Sequence, residues 1–400
     1  MKFSAENPNF IKPQTDTCSN LLIDYIFDIL KTNCCFVYWQ VGSNFTAENL
    51  KMKKIFFFII LFSNLTFGQN SNNKIEFNEI DNYAKTVKYK GDISKIVFEL
   101  TKDCSTEIQK ARAIYIWIID NISYDYKTFN KGKKIKKFKC KTAQECELKK
   151  AEWKENYINK VLKKKKGVCS GYSELYKKLC NLAGIRCEVI EGYIKTEPFQ
   201  IGRMGVLDHA WNVLIIDNNY YYLDLTWSSG YCIKNRKNKL NKFIKQANEY
   251  YWLTPIDKLS RSHFPKDTLQ LVNSKYNKIL FKKNPYIQNT ILPEIDILSP
   301  NSGIINANIG DTIHFKFNFK KSIDKLQINT NVVKNPKVWK VNGKMEVIDE
   351  KTLKKQKYIE YKKEDNVYSF NYIVDSKLVR YIEVLFDYRL KLKYLIKVTE

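Results

Sequence analysis

Gly167-Val168-Cys169-Ser170-Gly171-Tyr172 opens a stretch, ending at Gly230, in which a cysteine, a histidine and an aspartate follow one another. Behind it Leu175, Tyr176, Leu179, Leu182 and Ala183 recur at spacings of three and four, the period of one helix face. Cys169 is thereby placed at or near a helix N-terminus, where unpaired backbone N–H groups and the helix dipole favour negative charge. A thiol held there ionises more readily, and the thiolate is the form that attacks carbonyls. Gly184 is positioned to end the helix, and Ile185 to Tyr193 alternates as a strand. Forty residues after the cysteine comes Asp208-His209-Ala210-Trp211-Asn212-Val213, and fifteen after the histidine comes Asp224, within Tyr221-Tyr222-Leu223-Asp224-Leu225-Thr226-Trp227. His209 to Ile216 and Tyr220 to Leu225 read as two strands joined by the turn-prone Asp217-Asn218-Asn219. An even-length loop between them puts His209 and Asp224 on one face of the pair, as a histidine–carboxylate hydrogen bond requires.

A cysteine and a histidine oriented by a third polar group form the general design of a cysteine nucleophile. His209 would accept and return the proton, Asp224 would fix its tautomer, and the backbone N–H of Cys169 is a natural oxyanion donor. Each residue also has a plainer reading. Cys169 could be a small buried hydrophobe or a disulfide partner, though its Gly and Ser neighbours and the helix start favour the nucleophile. Asp224 in an apolar strand interior would be costly without a partner. His314 alternates with Ile313, Phe315 and Phe317 and faces the polar side of its strand, while His263 precedes Phe264-Pro265 in a turn and reads as structural. Trp211 and Trp227 suit either a core or a cleft wall.

The residues around the three side chains sharpen this. Gly167 to Tyr172, then His209-Ala210-Trp211-Asn212, then Asp224-Leu225-Thr226-Trp227 resemble the transglutaminase-like superfamily, and more narrowly its kyphoscoliosis-peptidase type. Trp117 to Asp125, Tyr251-Trp252-Leu253-Thr254-Pro255 and His263-Phe264-Pro265 fit the same resemblance, which covers roughly residues 80 to 275. It implies Cys169, His209 and Asp224 as a catalytic triad in an α+β papain- or transglutaminase-like core, a cysteine-bearing helix packed on an antiparallel sheet. It also implies a protein or peptide substrate and no cofactor; no C-x2-C pair is present and histidine is nearly absent, so no zinc site is expected either. Hydrolysis and cross-linking remain open, as does a silent interaction module that keeps the fold. The lysine-rich segment Lys131 to Lys166 and the loop Lys195 to Leu207 depart from the family pattern.

Around this core the chain supports several further expectations. Phe77 to Leu100 reads as helical with a break near Gly91. Ser105 or Thr106 caps a helix whose apolar face is Ala111, Ile114, Tyr115, Ile118 and Ile119. Lys131 to Lys166 reads as a surface excursion with one helix from Thr142 to Leu162. Tyr250 to Leu253 reads as a further strand, and Pro255 to Pro265 as a helix-and-turn segment closing a domain of residues 69–285. From residue 290 to 400 short strands such as Ile313 to Phe319, Val367 to Ile373, Tyr381 to Asp387 and Leu390 to Val398 predict an all-β, Ig-like sandwich.

The formal charge is +26, yet only seven of the 68 basic residues are arginine, and the lysines are spread along the whole chain. Specific nucleic-acid readers lean on arginine forks, so a solvated basic surface is the expectation and a specific nucleic-acid partner is not. Met52-Lys53-Lys54 followed by Ile55 to Phe62 and Ser63 to Gly68 has the composition of a secretory signal peptide, 52–68, too short for a comfortable membrane span. On this reading translation starts at Met52, residues 1–51 are a spurious extension, and the mature chain is secreted or periplasmic without a stable span. The competing reading is a genuine N-terminal segment with residues 55–67 buried or inserted. Processing removes Cys18, Cys34 and Cys35 and leaves seven cysteines, so up to three disulfides leave one thiol over, for which Cys169 is the candidate. Cys180 and Cys187 read as structural and as a candidate pair. N-terminal sequencing of exported material should begin within a few residues of Gln69; intact residues 1–51 would end both the processing and the odd-cysteine readings.

Overall fold

Helices come first because the sequence caps them. The computed structural model describes residues 77–132, 138–268, 275–332, 338–341, 344–347 and 359–399; the expected signal segment and everything before it lie outside these. Helix α1 (Asn78–Thr86) and α2 (Ile93–Thr101) flank the expected break at Gly91. The next helix, α3 (Glu107–Asn121), starts at Thr106 with a reciprocal cap, Thr106 to the Gln109 backbone and Gln109 back to the Thr106 N–H. Not only one face of α3 is buried: every residue from Ala111 to Ile119 is, Arg112 included. It is the central helix of the first core.

Arg112 makes that burial possible. Its Nε and Nη2 donate to the two oxygens of Asp81 on α1 at 2.8 and 2.6 Å, and its Nη1 and Nη2 donate to Glu249 at 2.6 and 3.0 Å. The guanidinium also lies about 5 Å over the rings of Phe77, Tyr115 and Trp252. One side chain thus ties α3 to α1 and to the 3-10 turn Glu249–Tyr251.

The lysine-rich excursion is mostly one long helix, α4 (Ala143–Lys164), capped by Thr142 and anchored through Ile158, Val161 and Leu162. Helix α5 (Cys169–Leu182) follows and ends at Gly184, whose φ of +80° suits glycine. Its apolar face packs on strands β1 (Arg186–Ile194), β2 (Leu207–Ile216) and β3 (Asn219–Leu223), antiparallel to one another. Asp217 and Asn218, both at positive φ, close the β2–β3 hairpin in two residues. The short helix α6 (Leu225–Ser228) follows directly.

Two expectations fail after this point. Tyr250 to Leu253 is not a strand: Glu249–Tyr251 is a 3-10 turn, held to the sheet by a single bridge between Tyr222 and Thr254. After a helical turn at Ile256–Leu259, His263 lies in a three-residue strand, β4 (His263–Pro265), which pairs with β1 rather than turning in isolation. The sheet order is β3-β2-β1-β4.

Helix α7 (Lys278–Lys283) leads through a 3-10 turn at Asn289–Glu294 to a region whose described elements are strands. One sheet joins β5 (Ile295–Ser299), β7 (Thr312–Phe319), β10 (Val367–Ile373) and β9 (Lys362–Glu364) in that order. The other joins β6 (Ile304–Asn308), β12 (Arg389–Thr399), β11 (Tyr381–Phe386) and β8 (Leu326–Thr330). All these pairs are antiparallel except β6 with β12. Alternation along β7 buries Ile313, Phe315, Phe317 and Phe319, which meet Phe386 and Tyr394 of the other sheet in a second core. Among the described residues no helix is long and apolar enough to cross a membrane.

The cysteines depart from the expected bookkeeping. Cys140 and Cys146 form a disulfide at the start of α4, whereas Cys104, Cys169, Cys180, Cys187 and Cys232 are free. Cys180 and Cys187 are therefore not a disulfide. They meet as buried thiols where α5 packs on β1, and burial first, then the neighbouring Cys187, pushes the Cys180 thiol well above its usual range.

Two outcomes test this architecture. Arg112→Met should lower unfolding stability in urea by about 2 kcal/mol, because the half-buried Asp81 carboxylate loses its fork. Arg112→Lys should recover little of that, since a point charge cannot bridge two carboxylates in parallel. Mapping of alkylated peptides should recover Cys140–Cys146 as an oxidised pair, with Cys180 and Cys187 alkylated only after unfolding. A Cys180–Cys187 disulfide in the native protein would overturn that assignment.

Candidate functional site

The helix start expected for Cys169 is present. Val168 occupies the N-cap with an extended backbone and no side-chain cap, so the first turn of α5 keeps unpaired donors around the cysteine. The thiol is partly exposed, and its Sγ lies 3.6 Å from the carbonyl oxygen of Asp208. Next to it the Ser170 hydroxyl meets Tyr157 Oη of α4 at 3.2 Å. A Cβ at Gly171 would come 3.1 Å from both Tyr157 Oη and a methyl of Val161, so glycine lets α4 close over the helix start.

His209 stands on β2 opposite Gly192 of β1. Any Cβ at Gly192 would lie 2.3 Å from the Phe264 carbonyl of β4 and 2.3 Å from the Trp211 ring. Only glycine allows β4 and Trp211 to approach so closely behind the histidine. Asn212, fully buried, donates from Nδ2 to the carbonyls of Ser173 at 3.0 Å and Glu188 at 3.3 Å, and so ties the cysteine helix to the histidine strand.

Asp224 is not inside a strand as expected. It follows β3 as the N-cap of α6, and its Oδ1 accepts the N–H groups of Thr226 at 2.8 Å and Trp227 at 3.1 Å. Asn212 pairs with Leu223, so Asp224 comes next on the side of Trp211 and His209, and the expected shared face survives. Its other oxygen, Oδ2, receives His209 Nε2 at 2.7 Å. Both groups are buried. Burial opposes the charged imidazole, but attraction and the hydrogen bond to Asp224, with a smaller contribution from Cys169, carry His209 up to about 10. Burial likewise opposes the Asp224 carboxylate, and the two imidazoles hold it well below the usual carboxylate range.

The second imidazole is His263, which the sequence reading set aside. Its Nε2 lies 3.1 Å from the same Asp224 Oδ2, and its Nδ1 lies 2.9 Å from Ser262 Oγ. Trp227 sits across both rings, 5.4 Å from His209 and 4.6 Å from His263, and Trp211 and Tyr251 complete an aromatic wall. Trp211 belongs to the core and Trp227 is half-buried, so only Trp227 keeps a face toward solvent. The one signal that could have flagged His263 was its place beside Phe264-Pro265; a three-residue strand carries no readable period. His209, Asp224 and His263 are also the only described cluster whose donor atoms, all within 4.8 Å, could hold a metal ion. At 2.7 and 3.1 Å their contacts are already those of imidazole N–H groups donating to a carboxylate.

The structure therefore brings the three expected residues to one place: the thiol at a helix start, the imidazole against it, the carboxylate behind. Residues 94–225 match the model of the transglutaminase-like superfamily, a span that includes Cys169, His209 and Asp224 and leaves His263 outside. Kyphoscoliosis peptidase of Homo sapiens is 29% identical over 217 residues, covering 53% of this chain and 29% of that protein. The Mus musculus kyphoscoliosis peptidase is 28% identical over 221 residues, covering 51% and 30%. Hillarin of Drosophila melanogaster is 22% identical over 227 residues, covering 54% and 25%. This chain thus spans less than a third of the length of these relatives. With its cysteine helix, histidine strand and capping aspartate inside the matched span, the chain carries a domain of the transglutaminase-like superfamily.

Proposed function

We propose that this chain is an exported cysteine enzyme that acts on peptide or glutamine-type carboxamide groups through a thioester. The observation that carries the reading is the buried 2.7 Å contact between His209 and Asp224 beside a thiol that remains partly exposed. A buried imidazole–carboxylate pair is costly unless it serves a partner, and the group against it is Cys169. The Cys169 thiolate attacks the carbonyl carbon, and the oxyanion that forms is met by unpaired N–H groups at the start of α5. As the C–N bond breaks, His209 gives its proton to the departing amine, leaving a thioester on Cys169. Water or a lysine amine then attacks the thioester, His209 takes the attacker's proton, and the thiolate leaves. Water as acceptor gives a peptidase; an amine gives an acyltransferase. Export is supported by the basic and apolar run from Met52 to Gly68. An Ig-like character for the C-terminal region, as an adaptor beside the enzyme, is supported by two sheets sharing one core.

The test is reactivity and turnover together. Wild-type Cys169 should be alkylated rapidly by iodoacetamide at pH 6, because His209 remains protonated until the pH approaches about 10. His209→Ala should cut that rate roughly 100-fold, because the imidazolium beside the sulfur is gone. Asp224→Asn should lower turnover of peptide or glutamine-amide substrates by on the order of 10³ to 10⁴, as misorientation does in the serine-protease triad. Cys169→Ser should abolish turnover with little change in thermal stability. Wild-type behaviour in all three variants would make the chain an interaction module instead.

A further inference from the structure

Asp224 has more partners than a triad needs. A carboxylate offers roughly four acceptor sites. Here Oδ1 accepts two backbone N–H groups, and Oδ2 faces two imidazole nitrogens, His209 Nε2 and His263 Nε2. His263 shows essentially no surface, and Ser262 Oγ stands 2.9 Å from its Nδ1. Were Nε2 unprotonated, its lone pair would face a carboxylate oxygen at 3.1 Å in a site closed to water. Ser262 Oγ has one proton, and the Leu259 carbonyl, at 3.5 Å, is a much longer acceptor than Nδ1 at 2.9 Å; the arrangement is satisfied when Ser262 donates to Nδ1 and Nε2–H donates to Asp224.

We propose that His263 is a positioning residue of the site: its Nε2–H is the second clamp on Asp224 Oδ2, and it fixes the carboxylate where His209 needs it. The inference rests on the reading of Cys169, His209 and Asp224 as one reacting unit. The two backbone donors hold Oδ1 but leave the carboxylate free to tilt about that end, and His209 must itself stay mobile enough to pass a proton. A neutral donor that takes no part in proton transfer supplies the missing constraint. The titratable groups around His263 are Asp224 on α6, His209 on β2, with Cys169 beyond it, and the phenol of Tyr251 from the 3-10 turn. Burial, opposed by Asp224, lowers the imidazole below its usual range, so His263 stays neutral while His209 carries the charge. Two histidines on one oxygen thereby have different roles: His209 moves a proton and His263 keeps one.

The experiment has a part that needs no variant. The chain has three histidines, and His314, on β7 of the C-terminal region, bonds Asn371 instead. Ring nitrogen–proton correlations of the chain labelled with ¹⁵N-histidine should show His263 at pH 7 as the neutral Nε2–H tautomer, its proton slow to exchange. The opposite tautomer, or a charged His263, would overturn the proposal. The second part is the iodoacetamide rate at pH 6. His263→Phe should reduce it about tenfold, whereas His263→Gln, whose side-chain N–H can donate from nearly the same place, should stay within about threefold of wild type. If both variants merely lose stability and the folded protein keeps the wild-type rate, His263 is structural and the proposal fails. His209→Ala separates the two readings: an unchanged rate there defeats the catalytic unit itself, while a large fall with no effect of His263→Phe defeats only the positioning role.

Discussion

A fully buried carboxylate is among the costlier groups a protein can hold, and Asp224 is tolerable only because every acceptor site meets a donor. Much of the surrounding structure follows from that requirement. Helix α6 exists to present its first N–H groups; with four residues it could not persist without its cap and its packing. Its last residue, Ser228, is held from the opposite side by the Tyr115 hydroxyl of the central helix α3. The carboxylate in turn makes a protonated His209 stable in a site where burial alone would expel the charge. Remove Asp224 from this picture and the imidazole, the short helix and the strand after Ser262 lose their common point of attachment.

Cys169 and His209 come from different layers, a helix and a sheet, so their separation depends on how those layers meet. Asn212 fixes it locally, reaching from the histidine strand to the Ser173 carbonyl one turn into the cysteine helix. The four residues His209-Ala210-Trp211-Asn212 therefore contain the imidazole, two residues packed on the sheet and the staple to the cysteine helix. Gly192 serves the same end by subtraction, since any side chain there would push β4 away and carry His263 with it.

The sequence made Cys169, His209 and Asp224 legible as candidates because local rules act on each: a glycine-flanked helix start, an apolar strand, a turn-closed hairpin. It also revealed the sandwich strands, where aromatic and β-branched residues alternate, as at Ile313 to Phe319. What stayed hidden depends on distant chain. Arg112 looks like an interruption in an apolar helix until Asp81 and Glu249 arrive, 31 and 137 residues away. His263 looks like a turn residue until Gly192 and Asp224 supply its strand partner and its acceptor. Counting cysteines failed for the opposite reason. Parity rules assume that thiols pair, whereas Cys180 and Cys187 are placed by packing and Cys140 with Cys146 by six residues of local chain. Part of the lysine excess is matched by acid: on α4, Lys149, Lys150 and Lys154 each find a nearby glutamate.

The C-terminal region is not merely appended to this site, because it grips the segment that carries His263. The Lys195 ammonium, buried at the end of β1, donates to the carbonyls of Phe281, Lys282 and Asn284 and so caps α7. The backbone N–H of the same lysine donates to the Ser262 carbonyl, immediately before His263. Asn284 returns two hydrogen bonds to the carbonyls of Ser260 and Arg261, and Arg261 reaches forward to the Ile295 carbonyl and the Asp296 carboxylate of β5. Residues 260–263 are thus held on one side by the sheet that bears His209 and on the other by the first strand of the sandwich. A three-residue strand with so few ladder bonds could not fix an imidazole by itself. Helix α7 and the first strand of the all-β region together supply the rest of the constraint, which gives the attachment at this point a physical reason.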